Sequence, residues 1–344
     1  KGNERTVSDP VMHEAEDGES WLLHAYALDG AGGGRPVDAD ELKRAWGDET
    51  IPTLWVHLRR DRPEAQAWLR EVAGFDEALC ERLLAEETRP GADADETRLT
   101  ANLRGVNLNP GEEPEDMVSI RLAVSETRVV TLRLKMLRAV QDVRGKLDAG
   151  RGPKSAIEVF HLLAGRLAER MHGVVMNLEE EVDALEVELD ENDPKFLTAH
   201  RHRLSSVRRR AAQLRRFIAP QREALANAAE CDLDWLKEPM RRRLRDVRER
   251  VGRVLDDLDG VRERAAVGFD EAVALQGERM NRTMYTLAIV AGVFLPLGFI
   301  TGLLGINVGG MPGVESTAAF WVVCIALGAL GVSVWLYFKR KGWM

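Results

Sequence analysis

The chain has 344 residues, a formal net charge of -8, 30% charged side chains and three cysteines. Such an acidic balance argues against general nucleic-acid binding and suits a protein that attracts cations. Cys80, Cys231 and Cys324 lie far apart with no C-x-x-C pair, which argues against both a disulfide framework and a thiolate metal cage.

Residues 1 to 20 are polar and acidic and lack the apolar core of a cleavable secretion signal. Up to residue 150, β-like runs at Trp21 to Leu28, Thr53 to Leu58, Arg98 to Val106, Val118 to Val124 and Arg128 to Leu134 alternate with helical stretches around 39 to 46, 62 to 72 and 76 to 86. This pattern predicts an α/β or α+β domain over 1–150, with turns at Gly30 to Gly34 and Pro110 to Pro114 and an end at Gly150-Arg151-Gly152-Pro153. Residues 151–235 read as a helical hairpin region, broken at Asp193-Pro194 and expected to kink at Ala219-Pro220.

A stalk helix is expected over 236–304. Leu244, Val247, Val251, Val254, Leu258, Val261 and Ala265 form a heptad stripe, and no proline interrupts the chain between Pro239 and Pro296. At 1.5 Å per residue a helix from Glu238 to Leu304 spans on the order of 100 Å, far more than a bilayer. The stripe alone fits either an amphipathic helix packed inside one domain or a stalk that needs partner helices; its fusion to an apolar span favours the second.

Residues 283 to 338 contain one formally charged side chain, Glu315. Two spans, Met284 to Leu304 and Phe320 to Phe338, each have about the twenty apolar residues needed to cross ~30 Å of hydrocarbon. They leave an outer loop at 305–318, a second transmembrane helix at 319–338 and a basic tail at 339–344. Arg279, Arg282, Lys339, Arg340 and Lys341 flank the spans while the loop carries no Lys or Arg, so both termini are expected in the cytoplasm of a multi-pass inner-membrane protein. Tyr285, Trp321, Trp335, Tyr337 and Trp343 fall near the interfaces as lipid anchors.

Within the first span Met284, Ala288, Ala291, Leu295, Gly298 and Gly302 share one stripe that narrows to small residues. Small residues permit tight helix packing without a pore. Beyond them Asn307 stands beside Gly305 in a glycine-rich mouth whose carbonyls and amide oxygens can face an ion. One chain with two spans cannot enclose a conduit, so a pore requires a symmetric oligomer.

Phe294-Leu295-Pro296-Leu297, Phe299-Ile300-Thr301-Gly302 and Gly305-Ile306-Asn307 resemble the pore helix and signature of the CorA metal-ion transporter superfamily. Where that family usually has Gly-Met-Asn, this chain has Ile306, followed by Val308-Gly309-Gly310-Met311-Pro312-Gly313, which is similar to the ZntB zinc-transporter branch. The resemblance implies an α/β cytoplasmic funnel domain plus a long stalk helix and two transmembrane helices per chain, in a CorA-like homopentamer. It also implies pore-lining or selectivity positions at Asn281, Met284, Leu287, Ala291, Leu295, Gly298, Gly302, Gly305, Ile306 and Asn307. Asp246, in Leu244-Arg245-Asp246-Val247, and Asp270 fall where magnesium-transporting members carry stalk cation sites. Between Arg245 and Arg248, Asp246 reads first as a salt-bridged surface carboxylate.

With no carboxylate, His or Cys among the candidate lining residues, nothing strips the inner shell of a divalent ion, so the ion is expected to pass hydrated. Glu315 would concentrate cations at the outer entrance or simply solubilise the loop. His200 and His202, two apart on a helix, lack the i, i+4 spacing of helical zinc ligands. The basic run Arg201, Arg203, Arg208, Arg209, Arg210, Arg215 and Arg216 reads as a solvated or salt-bridged face. The acidic stretch Glu179 to Asp193 ends at a predicted hairpin tip, which the resemblance implies lies near the membrane, where Lys339, Arg340 and Lys341 would attract it. No P-loop, nucleophile elbow or His-Glu-x-x-His is present, so no enzyme and no cofactor are expected. The expected function is divalent-cation transport, zinc first, with nickel, cadmium or cobalt also carried. The alternatives are a magnesium or cobalt channel of the same superfamily and a membrane-anchored sensor or scaffold that does not conduct.

Overall fold

The computed structural model describes residues 20–86, 89–187, 194–306, 313 and 316–341. The chain divides into two compact units, one of residues 1–189 with 202–268 and one of residues 190–201 with 269–344.

The first unit is built on a seven-stranded mixed sheet of β1 (Leu22–Leu28), β2 (Gly34–Pro36), β3 (Thr53–Arg59), β4 (Gly91–Ala94), β5 (Leu99–Gly105), β6 (Val118–Val124) and β7 (Arg128–Arg133). Its order is β2-β1-β3-β7-β6-β5-β4, with β3 and β7 parallel at the centre and the remaining pairs antiparallel. β3 is buried on both faces, which is why Leu54, Trp55, Val56 and Leu58 do not alternate with exposed polar residues. On one face Leu54, Val56, Leu58, Val130 and Leu132 pack with Leu42, Trp68, Leu69 and Leu83. Those partners come from α1 (Ala39–Gly47), α2 (Pro63–Glu71) and α3 (Glu77–Leu84). Asp38 and Asp76 cap α1 and α3 by accepting from the Glu41 and Leu79 amides.

Two short strands, β2 and β4, and a further helix, α4 (Arg138–Asp148), are additional to the sequence expectation. The β1–β2 turn is closed by Asp29, whose carboxylate accepts from the Ala31, Gly32 and Gly33 amides at 2.7 to 3.0 Å. These bonds hold its pKa below the usual carboxylate range.

Three long helices follow: α5 (Ala156–Val187), α6 (Pro194–Glu230) and α7 (Glu238–Leu304). Helix α5 lies against β3, β5, β6 and β7. Gly105 permits that approach, since a Cβ there would stand 2.6 Å from Leu167 and 2.7 Å from Leu137. Helix α6 continues through Pro220.

The stalk stripe has a different partner from the expected one. Leu244, Val247, Val251, Val254, Leu258, Val261 and Ala265 are all 3% exposed or less within the single chain. Ion pairs of Arg243 with Glu158 and Arg264 with Glu186 tie this part of α7 to α5, and Arg215 with Asp259 ties it to α6. The heptad spacing is therefore satisfied inside one domain and does not by itself call for other chains. Periodicity reports that a face is covered, not which chain covers it.

In the second unit the beginning of α6 meets α7, with the Arg201 guanidinium 5.3 Å from the Phe269 ring centre. The apolar part of α7 and helix α8 (Ala319–Arg340) are both long and apolar enough to cross a membrane. They run antiparallel in contact. A Cβ on Gly292 would stand 3.0 Å from Phe338 Cζ, and one on Gly331 3.8 Å from Leu297 Cδ1.

Candidate functional site

The first span presents two distinct faces. Ile289, Gly292, Val293, Pro296, Leu297 and Ile300 are half-buried, and they meet the half-buried stripe Val323, Leu327, Leu330, Gly331, Val334 and Phe338 of α8. Asn281, Met284, Leu287, Ala291, Leu295, Gly298 and Gly302 are all exposed. At about 100° per residue, the set from Met284 to Gly302 lies roughly half a turn from the α8-facing stripe. The structure thus brings these candidate lining positions onto one face that α8 leaves uncovered, with Asn281 toward its flank.

That face is apolar along its length. Met284, Leu287 and Leu295 are 53%, 63% and 74% exposed, and an added Cβ on Gly298 or Gly302 would meet nothing within 4 Å. Close packing inside this chain uses Gly292 and Gly331 instead, two positions that the stripe reading did not single out. The spacing of Gly292 from Ile289 and Pro296 held that signal, but nothing in the sequence says which face meets α8.

At the C-terminal end of α7, the Gly305 amide donates to the Thr301 and Gly302 carbonyls at 3.0 and 3.1 Å, closing the last turn. The Thr301 hydroxyl donates back to the Leu297 and Gly298 carbonyls at 3.0 and 3.1 Å. Ile306 is 47% exposed. Asn307 and Glu315 lie outside the described residues.

The stalk carboxylates are separate from this face. Asp246 and Asp270 are exposed, and among the described residues neither forms an ion pair. The expected salt bridge at Asp246 is absent because Arg245 turns to Glu238. Asp246 instead shares its surroundings with His161, Arg243, Arg250 and Glu158, where burial and the two arginines lower the His161 pKa. Among the described residues no group of three or more His, Cys, Asp or Glu is arranged to hold a metal.

The basic run on α6 is largely committed to structure. Arg210 bridges Glu181 and the buried Glu115, and Arg215 pairs with Asp259. Arg264 likewise takes up Glu186, Asp183 and Glu179 from the acidic stretch. Those carboxylates are held by a helix of their own unit; Glu188, Asp190, Glu191 and Asp193 fall outside the described residues.

The sequence reading missed one buried polar cluster. His24 and His57 face each other across β1 and β3 with ring centres 4.7 Å apart. Thr131 holds His57 Nδ1 at 2.7 Å and accepts from Trp55 Nε1 at 2.9 Å. Burial pushes both imidazole pKa values well down, helped by the charges of Arg133 and Arg144. The two rings sit 33 residues apart in sequence, so only strand pairing brings them together.

Similarity to known proteins agrees with the architecture. Over 337 residues the chain is 43% identical to the divalent cation transporter CmaX of Pseudomonas aeruginosa, covering 97% of this chain and 100% of that one. It is 33% identical over 324 residues to the zinc transport protein ZntB of Yersinia pseudotuberculosis, covering 94% and 96%. The full-length CmaX structure superposes with a TM-score of 0.81 at 42% identity, covering 94% of this chain and 99% of that one. The model of the CorA-like Mg2+ transporter proteins matches residues 52–340, both spans included, and the chain belongs to that family.

Proposed function

We propose that this divalent-cation transporter carries zinc as its main cargo, as a homopentamer in the inner membrane with both termini in the cytoplasm. The observation that carries the reading is the uncovered face of α7, where Met284, Leu287, Ala291, Leu295, Gly298 and Gly302 stand opposite the α8 contact. Five such faces around an axis enclose a conduit, with the second spans outside it. The lining offers no side chain able to replace inner-shell water, so ions travel hydrated. Met284, Leu287 and Leu295 act as dry constrictions that gate by dewetting, and the Asn307 amides hold the waters of the ion at the mouth. Neither span contains Asp, Glu, His, Lys or Arg, so proton coupling, where it occurs, runs through the stalk, the loop or water.

The test is metal flux into proteoliposomes with zinc, nickel, cadmium, cobalt and magnesium, with and without a pH gradient. Zinc is expected to lead, and Asn307→Ala to reduce its flux at least tenfold with the oligomer intact. Zinc flux unchanged in Asn307→Ala would overturn the role of the mouth. A broader or magnesium-led profile is the second reading, favoured by the higher identity to a protein described simply as a divalent cation transporter. A correctly assembled protein without flux would leave the sensor or scaffold reading.

A further inference from the structure

The contact between α7 and α8 is reciprocal. Phe338 of α8 reaches the bare backbone of Gly292, where an added Cβ would stand 3.0 Å from its Cζ and 3.3 Å from its Cε2. Leu297 of α7 in turn reaches Gly331, where an added Cβ would stand 3.8 Å from its Cδ1. Each helix supplies one large side chain and one glycine. On α8 the two partners, Gly331 and Phe338, are seven residues apart and so lie within about 20° of one another around the helix. On α7 the five residues from Gly292 to Leu297 separate the partners by about 140°, which sets them at opposite edges of the half-buried face.

A helix held at one point can roll about it. Contacts at both edges resist roll in either direction, because turning one way drives the Gly292 backbone into Phe338 and turning the other drives Leu297 into the Gly331 backbone. The far side of α7 makes that roll matter. Leu287 and Ala288 are neighbours in sequence and both exposed, and at about 100° per residue they straddle the centre of the uncovered face. Leu287 follows the Leu297 edge and Ala288 adjoins the Gly292 edge, so a roll of α7 brings one of them to the centre and takes the other away.

We propose that Phe338 and Gly331 of α8 are positioning residues for transport: with Gly292 and Leu297 they set the roll of α7, and through it which side chains face the conduit. They act through α7 and not on the ion. The inference rests on the conduit reading of the uncovered face, and it fixes a sign. Enlarging Gly292 pushes that edge off α8, which turns Ala288 toward the conduit and Leu287 away from it. Enlarging Gly331 pushes the Leu297 edge off α8 and does the reverse.

The test is the rate at which a small charged thiol reagent modifies Leu287→Cys or Ala288→Cys in the full chain, reconstituted in liposomes with Cys80→Ser/Cys231→Ser/Cys324→Ser as background. In Gly292→Val the ratio of the Ala288→Cys rate to the Leu287→Cys rate is expected to rise roughly threefold or more, and in Gly331→Val to fall by a similar factor, since overpacking displaces backbone. Phe338→Ala, which empties the Gly292 edge, should move the ratio the same way as Gly331→Val. Gly292→Ala/Phe338→Leu, which gives the added methyl room, should restore it. Should the valine variants not assemble, Gly292→Ala and Phe338→Ala are smaller changes that carry the same opposite signs. A ratio unchanged in every variant, or shifted with one sign by both valines, overturns the proposal, because a contact that merely joins the helices lowers the unfolding temperature without such a reversal. If neither cysteine reacts in any chain, the face is dry and the conduit reading fails, taking the positioning role with it. The two failures are therefore distinguishable.

Discussion

Gly292 and Gly298 are both glycines of the first span, yet they answer to different neighbours. A methyl on Gly292 meets Phe338 at 3.0 Å, whereas one on Gly298 meets nothing within 4 Å. Gly292→Val is expected to overpack the α7–α8 contact and cost about 1–3 kcal/mol, seen as a lower unfolding temperature in detergent. Gly298→Ala should leave that temperature unchanged and act on flux alone. Leu295→Ala is expected to widen a dry constriction and raise leak in a liposome flux assay. At Asp246, the neighbouring Arg245 and Arg248 of the same helix oppose a bound cation. Millimolar magnesium is therefore expected not to close the pore, with Asp246→Asn shifting its effect on zinc uptake less than twofold. Strong inhibition that the variant escapes would establish a regulatory site there. The His24–His57 pair gives a pH signature. Both folded pKa values lie below the ordinary imidazole value, so the unfolded chain binds more protons as pH falls through about 6.5. Stability is complete above that pH and is lost below it, by up to about 1.4 kcal/mol per pH unit for each ring. Thermal unfolding between pH 7.5 and 5.5 should show the slope, and His24→Gln/His57→Asn should flatten it.

At the scale of elements, the buried stripe of α7 holds the three long helices of the first unit together. Leu258→Ala, at a fully buried position, is expected to cost about 2–5 kcal/mol. Arg264→Ala removes only exposed pairs and should cost about 1 kcal/mol or less; calorimetry of the purified protein distinguishes the two. Much of this layout was legible in sequence. The five longer strands alternate or run apolar, and the spans are long and almost free of charge, so local pattern was enough. β2 and β4 escaped because three or four residues containing Gly, Pro or Asp carry no strand pattern and are ordered by their neighbours. The Asp246 pairing was misjudged for a related reason. Arg245 and Arg248 are close in sequence, but a guanidinium goes to whichever carboxylate the helix presents, and for Arg245 that is Glu238. In the first span, spacing grouped Met284, Ala288, Ala291, Leu295, Gly298 and Gly302 and the family resemblance added Leu287, all of them exposed in the structure, while the partner of the opposite face emerged only from Phe338.

For the whole molecule, the membrane helices are the part left free to assemble with other copies. The stalk stripe is already covered by α5 and α6, so the proposed association of five chains draws on the α7 face that α8 leaves bare. Mass measurement in nanodiscs is expected to give five chains; a stable monomer or dimer would remove the conduit.

The parallel pairing of β3 with β7 also sets an order of events during synthesis. The centre of the sheet cannot close until residue 133 has been made, yet the first span begins only at Met284. At about 5–20 residues per second, roughly eight to thirty seconds separate the two. Ala265, the last residue of the buried stripe, precedes Met284 by so little that only about one to four seconds remain for α7 to dock before its continuation reaches the bilayer. A nascent chain can therefore tolerate slow strand pairing, whereas slow docking of α7 would deliver an apolar stripe to the membrane still uncovered.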